Sequence, residues 1–272
     1  MTIREFAHWR KVDLKYLLSS CQVRSKGLSK YSKDILLSVK GKYEGQRCFV
    51  LGNGPSLTSE DLDKLKSEIT FASNRIYKIF HETEWRPTYF VMFDEGVGMS
   101  EGVAKNISKI DCIKFVREQG YFAYKDITGK VCFIHSRYNR KYLDNPQFSE
   151  NLVCYIYSIS TVTYAAIQIA RWMGFNEIYL LGMDNKYAYS RLRDGSIVRN
   201  EGVASYFSDQ GQELPAPTTA VATWEMDAAY EYAEKYSREH GFRIYNATRG
   251  GFLEKFERVD LDEILARTEK RG

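Results

Sequence analysis

The chain has 272 residues, 44% hydrophobic and 27% charged, which is enough for a packed core. A net charge of +4 is too small to argue for nucleic acid, and no apolar run reaches the roughly twenty residues of a membrane-spanning helix. Five scattered cysteines without a Cys-x-x-Cys pair, and a start (Met1-Thr2-Ile3-Arg4-Glu5) without a signal-peptide core, fit reduced thiols in a cytoplasmic protein better than a disulfide frame or a zinc site.

Residues 1–45 read as a basic helical arm. Phe6, Trp9, Leu14, Leu17 and Leu18 fall near helical spacing, as do Tyr31, Ile35, Leu36 and Val39, and basic residues outnumber acids. The arm either packs on the domain or lies on an anionic membrane surface or a partner. The remainder, 46–272, alternates strand and helix. Strands are predicted at 47–51, 69–73, 88–93, 112–116, 131–134, 153–157, 177–182 and 242–245, and helices at 59–67, 97–108, 161–173, 224–240 and 260–269. This order predicts an α/β, Rossmann-like, mainly parallel sheet with helices on both faces. Gly174 is placed to cap the third of those helices.

The first strand runs into Gly52-Asn53-Gly54-Pro55-Ser56-Leu57. Two glycines permit close backbone approach or positive φ, Pro55 suits a tight turn, and a following helix would aim its positive end at an anion. The run is either a phosphate-facing loop or a plain strand–turn–helix connection, since it is neither Gly-x-Gly-x-x-Gly nor a P-loop. The strongest strand, Glu177 to Gly182, leads to Asp184. Residues 186–223 hold several Gly and Pro with little periodicity. They read as a lid closing on a ligand or as a surface insertion.

The ordered set of Gly52-Asn53-Gly54-Pro55-Ser56-Leu57, Ser73-Asn74-Arg75, Ser160-Thr161, Gly174 through Asp184, and Ile244-Tyr245-Asn246-Ala247-Thr248 with Gly250-Gly251 resembles the MptE-like superfamily. That group includes the archaeal 6-hydroxymethylpterin diphosphokinase and motility-associated glycosyltransferases. The same order of motifs is similar to the bacterial metal-independent sialyltransferases that use CMP-sialic acid. The resemblance covers 46 to about 256 and implies a GT-A-variant Rossmann-like fold. It also implies that Gly52, Asn53, Gly54, Pro55 and Ser56 line the nucleotide, that Asn74 contacts donor phosphate or sugar, and that Ser160, Thr161 and Asp184 border the pocket. Tyr187 and Tyr189 would hold the leaving phosphate.

The sialyltransferase pattern places a histidine base in the loop after that strand, where this chain reads Asn200-Glu201. Glu201 is therefore the candidate base or an ordinary loop acid, and His135 is a structural histidine or an alternative. The resemblance implies transfer of a nonulosonate-like sugar from a CMP donor to a glycan acceptor in surface polysaccharide or glycoconjugate synthesis. No metal is required, although Mg²⁺ would serve a diphosphate donor. The alternatives are an ATP-dependent diphosphokinase, with Asp94, Glu95 and Asp184 holding Mg²⁺, and a nucleotide-binding protein without catalysis. Partners expected are the nucleotide-sugar, the glycan acceptor and a second copy of the chain, with no nucleic acid. Localisation is expected to be cytoplasmic, with peripheral contact at the inner membrane face through the arm.

Overall fold

The computed structural model describes residues 3–137, 145–209 and 220–269. In chain order its helices are α1 (Ile3–Ser25), α2 (Leu28–Val39), α3 (Ser59–Lys64), α4 (Glu95–Gly98), α5 (Val103–Ser108), α6 (Tyr121–Tyr124), α7 (Val162–Trp172), α8 (Thr223–Glu239) and α9 (Leu261–Glu269). The strands are β1 (Arg47–Leu51), β2 (Thr70–Ser73), β3 (Tyr89–Met92), β4 (Ile113–Arg117), β5 (Val131–Ile134), β6 (Ser136–Arg137), β7 (Ile156–Tyr157), β8 (Glu177–Leu181), β9 (Tyr189–Arg191), β10 (Ile197–Arg199), β11 (Arg243–Asn246) and β12 (Glu257–Arg258). Among the described residues no helix is long and apolar enough to cross a membrane.

Eight strands form one parallel sheet in the order β12-β11-β8-β1-β2-β3-β4-β5. The fold is α/β and Rossmann-like, as the strand–helix alternation implies. Strand residues are apolar on both sides because both faces are covered. In β1, Cys48 and Val50 join the core under α2, α7 and α8. Phe49 and Leu51 join the core under α3, α5 and α9. In β8, Ile178 and Leu180 divide from Tyr179 and Leu181 in the same way.

The chain lays β1 to β5 outward in sequence order, then returns to place β8 on the other side of β1. The crevice between β1 and β8 is thus the topological switch point, where open α/β sheets bind ligands beyond the strand carboxyl ends. Ladder pairing continues past both strands: Gly52 N–H donates to Leu181 O (2.8 Å) and Gly54 N–H to Gly182 O (2.9 Å). A Cβ at Gly52 would collide with the Gly182 carbonyl, and one at Gly54 with the Asp184 carboxylate. Neither Gly52 nor Gly54 has a positive φ. Loop-on-loop packing therefore requires both glycines, which corrects the expectation of a left-handed turn there.

The arm packs on the domain, α2 against β5 and α1 against α6 and residues 118–120. Ser32 Oγ accepts from the Phe133 amide on edge strand β5 (2.8 Å), so α2 occupies part of an edge that would otherwise be open. Among the described side chains of α1, Ser19, Ser20 and Val23 are buried, and Leu14, Leu17 and Leu18 point to solvent. Glu118 receives His135 (3.2 Å) and faces Ser20 and Arg24 of α1. Burial alone would raise its carboxyl, but these donors and charges hold it below the usual range.

Three expectations change. The run 153–157 joins the main sheet nowhere. Only Ile156–Tyr157 is extended, beside β6, because Asn151 Oδ1 and Ser149 Oγ bond the local backbone of Val153 and Tyr155. The helix predicted over 97–108 splits into α4 and α5 at left-handed Gly102 (φ 73°). Part of the predicted lid is a β9–β10 hairpin turned by Asp194-Gly195 (Gly195 φ 89°), and its stretch 210–219 lies outside the described residues. Gly174 does end α7, with φ 94°.

Gly52→Ala should cost about 2 kcal/mol or more in a denaturant titration, because the colliding atoms are backbone and cannot swing aside. Gly195→Ala, where a Cβ meets open space, should lose only the strain of its positive φ, about 1 kcal/mol.

Candidate active site

The carboxyl ends of β1, β2, β3, β4 and β8 and the start of α7 enclose a cavity of about 350 Å³, the size of a small-molecule site. Gly52, Asn53, Gly54, Asn74, Ser160, Thr161, Asp184 and Tyr187 all line it, so most of the residues predicted for the site meet there. Pro55, Ser56, Tyr189 and Glu201 are not among the lining residues. Pro55 is the second residue of the turn closed by Leu57 N–H to Gly54 O (3.1 Å). Tyr189 pairs with Arg199 in the hairpin, and Glu201 is exposed on the turn after β10. The base assigned to Glu201 thus stands away from the cavity.

The motifs around the cavity divide into a frame and a binding surface. Asp184 belongs partly to the frame. Its Oδ2 accepts from Ser56 Oγ (2.7 Å) and the Ser56 amide (3.3 Å). The Phe252 amide donates to the Asp184 carbonyl (2.8 Å), and Thr248 Oγ1 accepts from the Met183 amide (3.0 Å). Asn246 in turn holds Leu253 O and the Thr248 amide. The Asn246–Leu253 motif is therefore a brace beneath the β8 loop.

The helix after the first loop also differs from expectation. The N-terminus of α3 is closed by its own Thr58–Asp61 capping box, and Asp61 carries Arg249 (2.5 Å). The helix whose positive end opens on the cavity is α7, since Val162 and Thr163 line it and Thr161 caps it (Thr163 N–H to Oγ1, 3.2 Å).

The binding surface is marked by strain and by unpaired atoms. Among the described residues the non-glycine positions with positive φ are Asn74 (52°), Ser160 (32°) and Asn185 (52°), and all three line this cavity. Such conformations cost about 1–3 kcal/mol each and cluster at functional sites. Asn53 Nδ2 donates to Ser73 O (3.1 Å) and Asn185 Nδ2 to Asp227 Oδ1 (2.8 Å). The Oδ1 atoms of Asn53, Asn74 and Asn185 and the Nε of Arg117 are buried without a partner. Each would cost about 1–3 kcal/mol if nothing ever filled it. Tyr187 completes the wall beside Lys186 and Tyr206; burial pushes its phenol well above the ordinary value, so it is a neutral donor.

The carboxylates proposed for Mg²⁺ do not suit that role. Both oxygens of Glu95 are taken by cations, Arg117 and Lys15 (2.5 Å to Lys15). Asp94 caps α4 through the Val97 amide (3.1 Å), and Asp184 holds Ser56. Among the described residues no group of three His, Cys, Asp or Glu could hold a metal. His135 is bound to Glu118 and Gln119, outside the cavity lining.

Sequence reasoning missed Arg117, Asn185, Lys186 and Tyr230, which also line the cavity. Arg117 ends a parallel strand and Asn185 follows Asp184, so the rule that ligands meet strand carboxyl ends could have found both.

A doubly covered parallel sheet with a polar cavity at its switch point defines a ligand-binding α/β protein of the Rossmann-like class. Within that class the chain belongs to the MptE-like family: the model for 6-hydroxymethylpterin diphosphokinase MptE-like proteins matches residues 25–190. No curated protein matches it. The chain is also similar to the solved MAf glycosyltransferase from Magnetospirillum magneticum AMB-1, with 14% identity and a TM-score of 0.49 over 90% of this chain and 41% of that one. It therefore spans less than half the length of that protein.

The frame gives a pH-dependent expectation. Burial raises the Asp61 carboxyl, but hydrogen bonds from Arg249 and Thr58 outweigh it and hold the group below its ordinary value. That stabilisation is complete above pH about 4 and is lost as pH falls through the lower folded value. Arg249→Met should therefore cost about 1–3 kcal/mol at neutral pH in urea titrations, and the gap to wild type should shrink toward pH about 3.

Proposed function

We propose that this chain is a glycosyltransferase that moves a nonulosonate-like sugar from a CMP-activated donor to a glycan acceptor. The observation that carries this reading is the set of unpartnered buried acceptors around one cavity, the Oδ1 atoms of Asn53, Asn74 and Asn185. A ligand that satisfies them brings several hydroxyl or amino donors, as a nucleotide joined to a sugar does. The resemblance of the loop motifs to CMP-dependent enzymes points the same way.

A single leaving phosphate needs less charge neutralisation than a diphosphate. The start of α7, Lys186 and the neutral Tyr187 hydroxyl supply it, as donors fixed before the reaction. The acceptor hydroxyl attacks the anomeric carbon and loses its proton to a cavity carboxylate. Asp94 takes that role: it spends only Oδ1 on the Val97 amide, whereas Glu95 spends both oxygens on cations and Asp184 ties the frame to Ser56. Tyr187 donates to the phosphate as the glycosidic bond breaks.

CMP at about a hundred times its dissociation constant should raise the melting temperature by about 5–10 °C without Mg²⁺. A rise only with ATP and Mg²⁺ would overturn the reading in favour of the diphosphokinase. In a transfer assay Asp94→Asn should lower kcat by about 10²–10⁴-fold with CMP affinity retained, whereas Glu201→Gln should leave turnover near wild type. Loss of activity in the Glu201 variant alone would return the base to the lid.

A further inference from the structure

Arg117 ends β4, is 8% exposed and lines the cavity. Its Nη2 donates to Glu95 and to Tyr16 Oη (3.1 Å), and its guanidinium lies 5.1 Å from the centre of the Tyr16 ring. The second Glu95 oxygen accepts from Lys15 Nζ (2.5 Å). One carboxylate therefore serves two cations, which leaves the cluster one negative charge short, and the buried Nε–H of Arg117 has no acceptor. An arginine stays charged in any surroundings and presents a fork that fits carboxylate or phosphate.

The cluster stands at the far end of the cavity from Lys186 and Tyr187. From β8 to β4 the sheet steps through β1, β2 and β3, a span of about 19 Å at about 4.8 Å per strand. The phosphate and carboxylate of a nonulosonate donor sit on one carbon, so a donor held at the β8 loop does not also fill the Arg117 position. We propose that Arg117 forms a second anion subsite, which takes a carboxylate or phosphate on the acceptor sugar. In this role Lys15 and Tyr16 of α1 are positioning residues, sharing Glu95 and bracing the guanidinium. Helix α1 falls outside the family match but for its last residue, so this wall comes from a segment the family pattern does not include. The assignment to the acceptor rests on the glycosyltransferase reading; the anion subsite itself does not.

NMR titrations of the full chain with galactose, galacturonate and galactose 6-phosphate test it, with CMP titrated in parallel. At least one acidic sugar should bind about tenfold or more tighter than galactose, and which one does so separates carboxylate from phosphate. Arg117→Met should abolish that preference while leaving galactose and CMP affinities in place. Tyr16→Phe should reduce the preference alone, and Arg117→Lys should restore part of it. Glu95→Gln adds to the positive surplus and should tighten the acidic sugar; it decides the matter if Arg117→Met fails to fold. Equal binding of the three sugars, a preference that survives Arg117→Met, or a matching loss of CMP affinity overturns the subsite. Acid preference without any CMP binding sinks the CMP reading and leaves the subsite standing. CMP binding without acid preference does the reverse.

Discussion

The structure depends on one steric constraint. Strands β1 and β8 leave the sheet side by side, and their loops touch backbone to backbone. Nothing larger than hydrogen fits at Gly52 or Gly54 without displacing Gly182 or Asp184. Once the loops meet, Asp184 can lock Ser56, the Thr248 hydroxyl can hold Met183, and Asn185 and Asn53 are turned toward the cavity they line. The site is thus a by-product of how two strands must part at the switch point.

Its two ends are held differently. At the β8 end carboxamides, hydroxyls and the start of a helix stand beside Asp184 and Lys186. At the β4 end charges dominate, and a helix contributed by the arm takes part. The unusual amphipathicity of α1 follows from this. Among its described side chains, Lys15, Tyr16 and Ser20 face Glu95, Arg117 and Glu118, and Val23 alone joins the apolar core. Its leucines then have nowhere to go but outward.

That inversion explains much of what sequence pattern did and did not reveal. The sheet was legible because buried parallel strands are apolar runs such as Cys48–Leu51 and Ile178–Leu181, bounded by Gly. Asn53 and Asp184 were legible because they follow those runs, and Asn74 through the family resemblance of its motif. The leucines of α1 gave the helix but not the face that packs, since spacing alone does not say whether an apolar stripe meets the domain or solvent. The run at 153–157 misled because side-chain bonds from Ser149 and Asn151 outcompete a strand ladder. The hairpin in the lid was readable from Asp194-Gly195 but was masked by the absence of alternation around it. The partners of Glu95 were beyond reach, because Lys15 and Arg117 lie far from it in sequence and only the fold joins them.

The return of β8 to the side of β1 also sets an order of assembly. Strands β2 to β5 each pair with the strand just before them, whereas the Ser56–Asp184 contact joins residues 128 positions apart. Until β8 has been made, one edge of β1 is open and its glycine loop has nothing to rest on. Long-range parallel pairing is slow, and an open strand edge invites the wrong neighbour. The crevice is therefore among the last parts of the molecule to close, and a ligand that fits it recognises only chains that have finished folding.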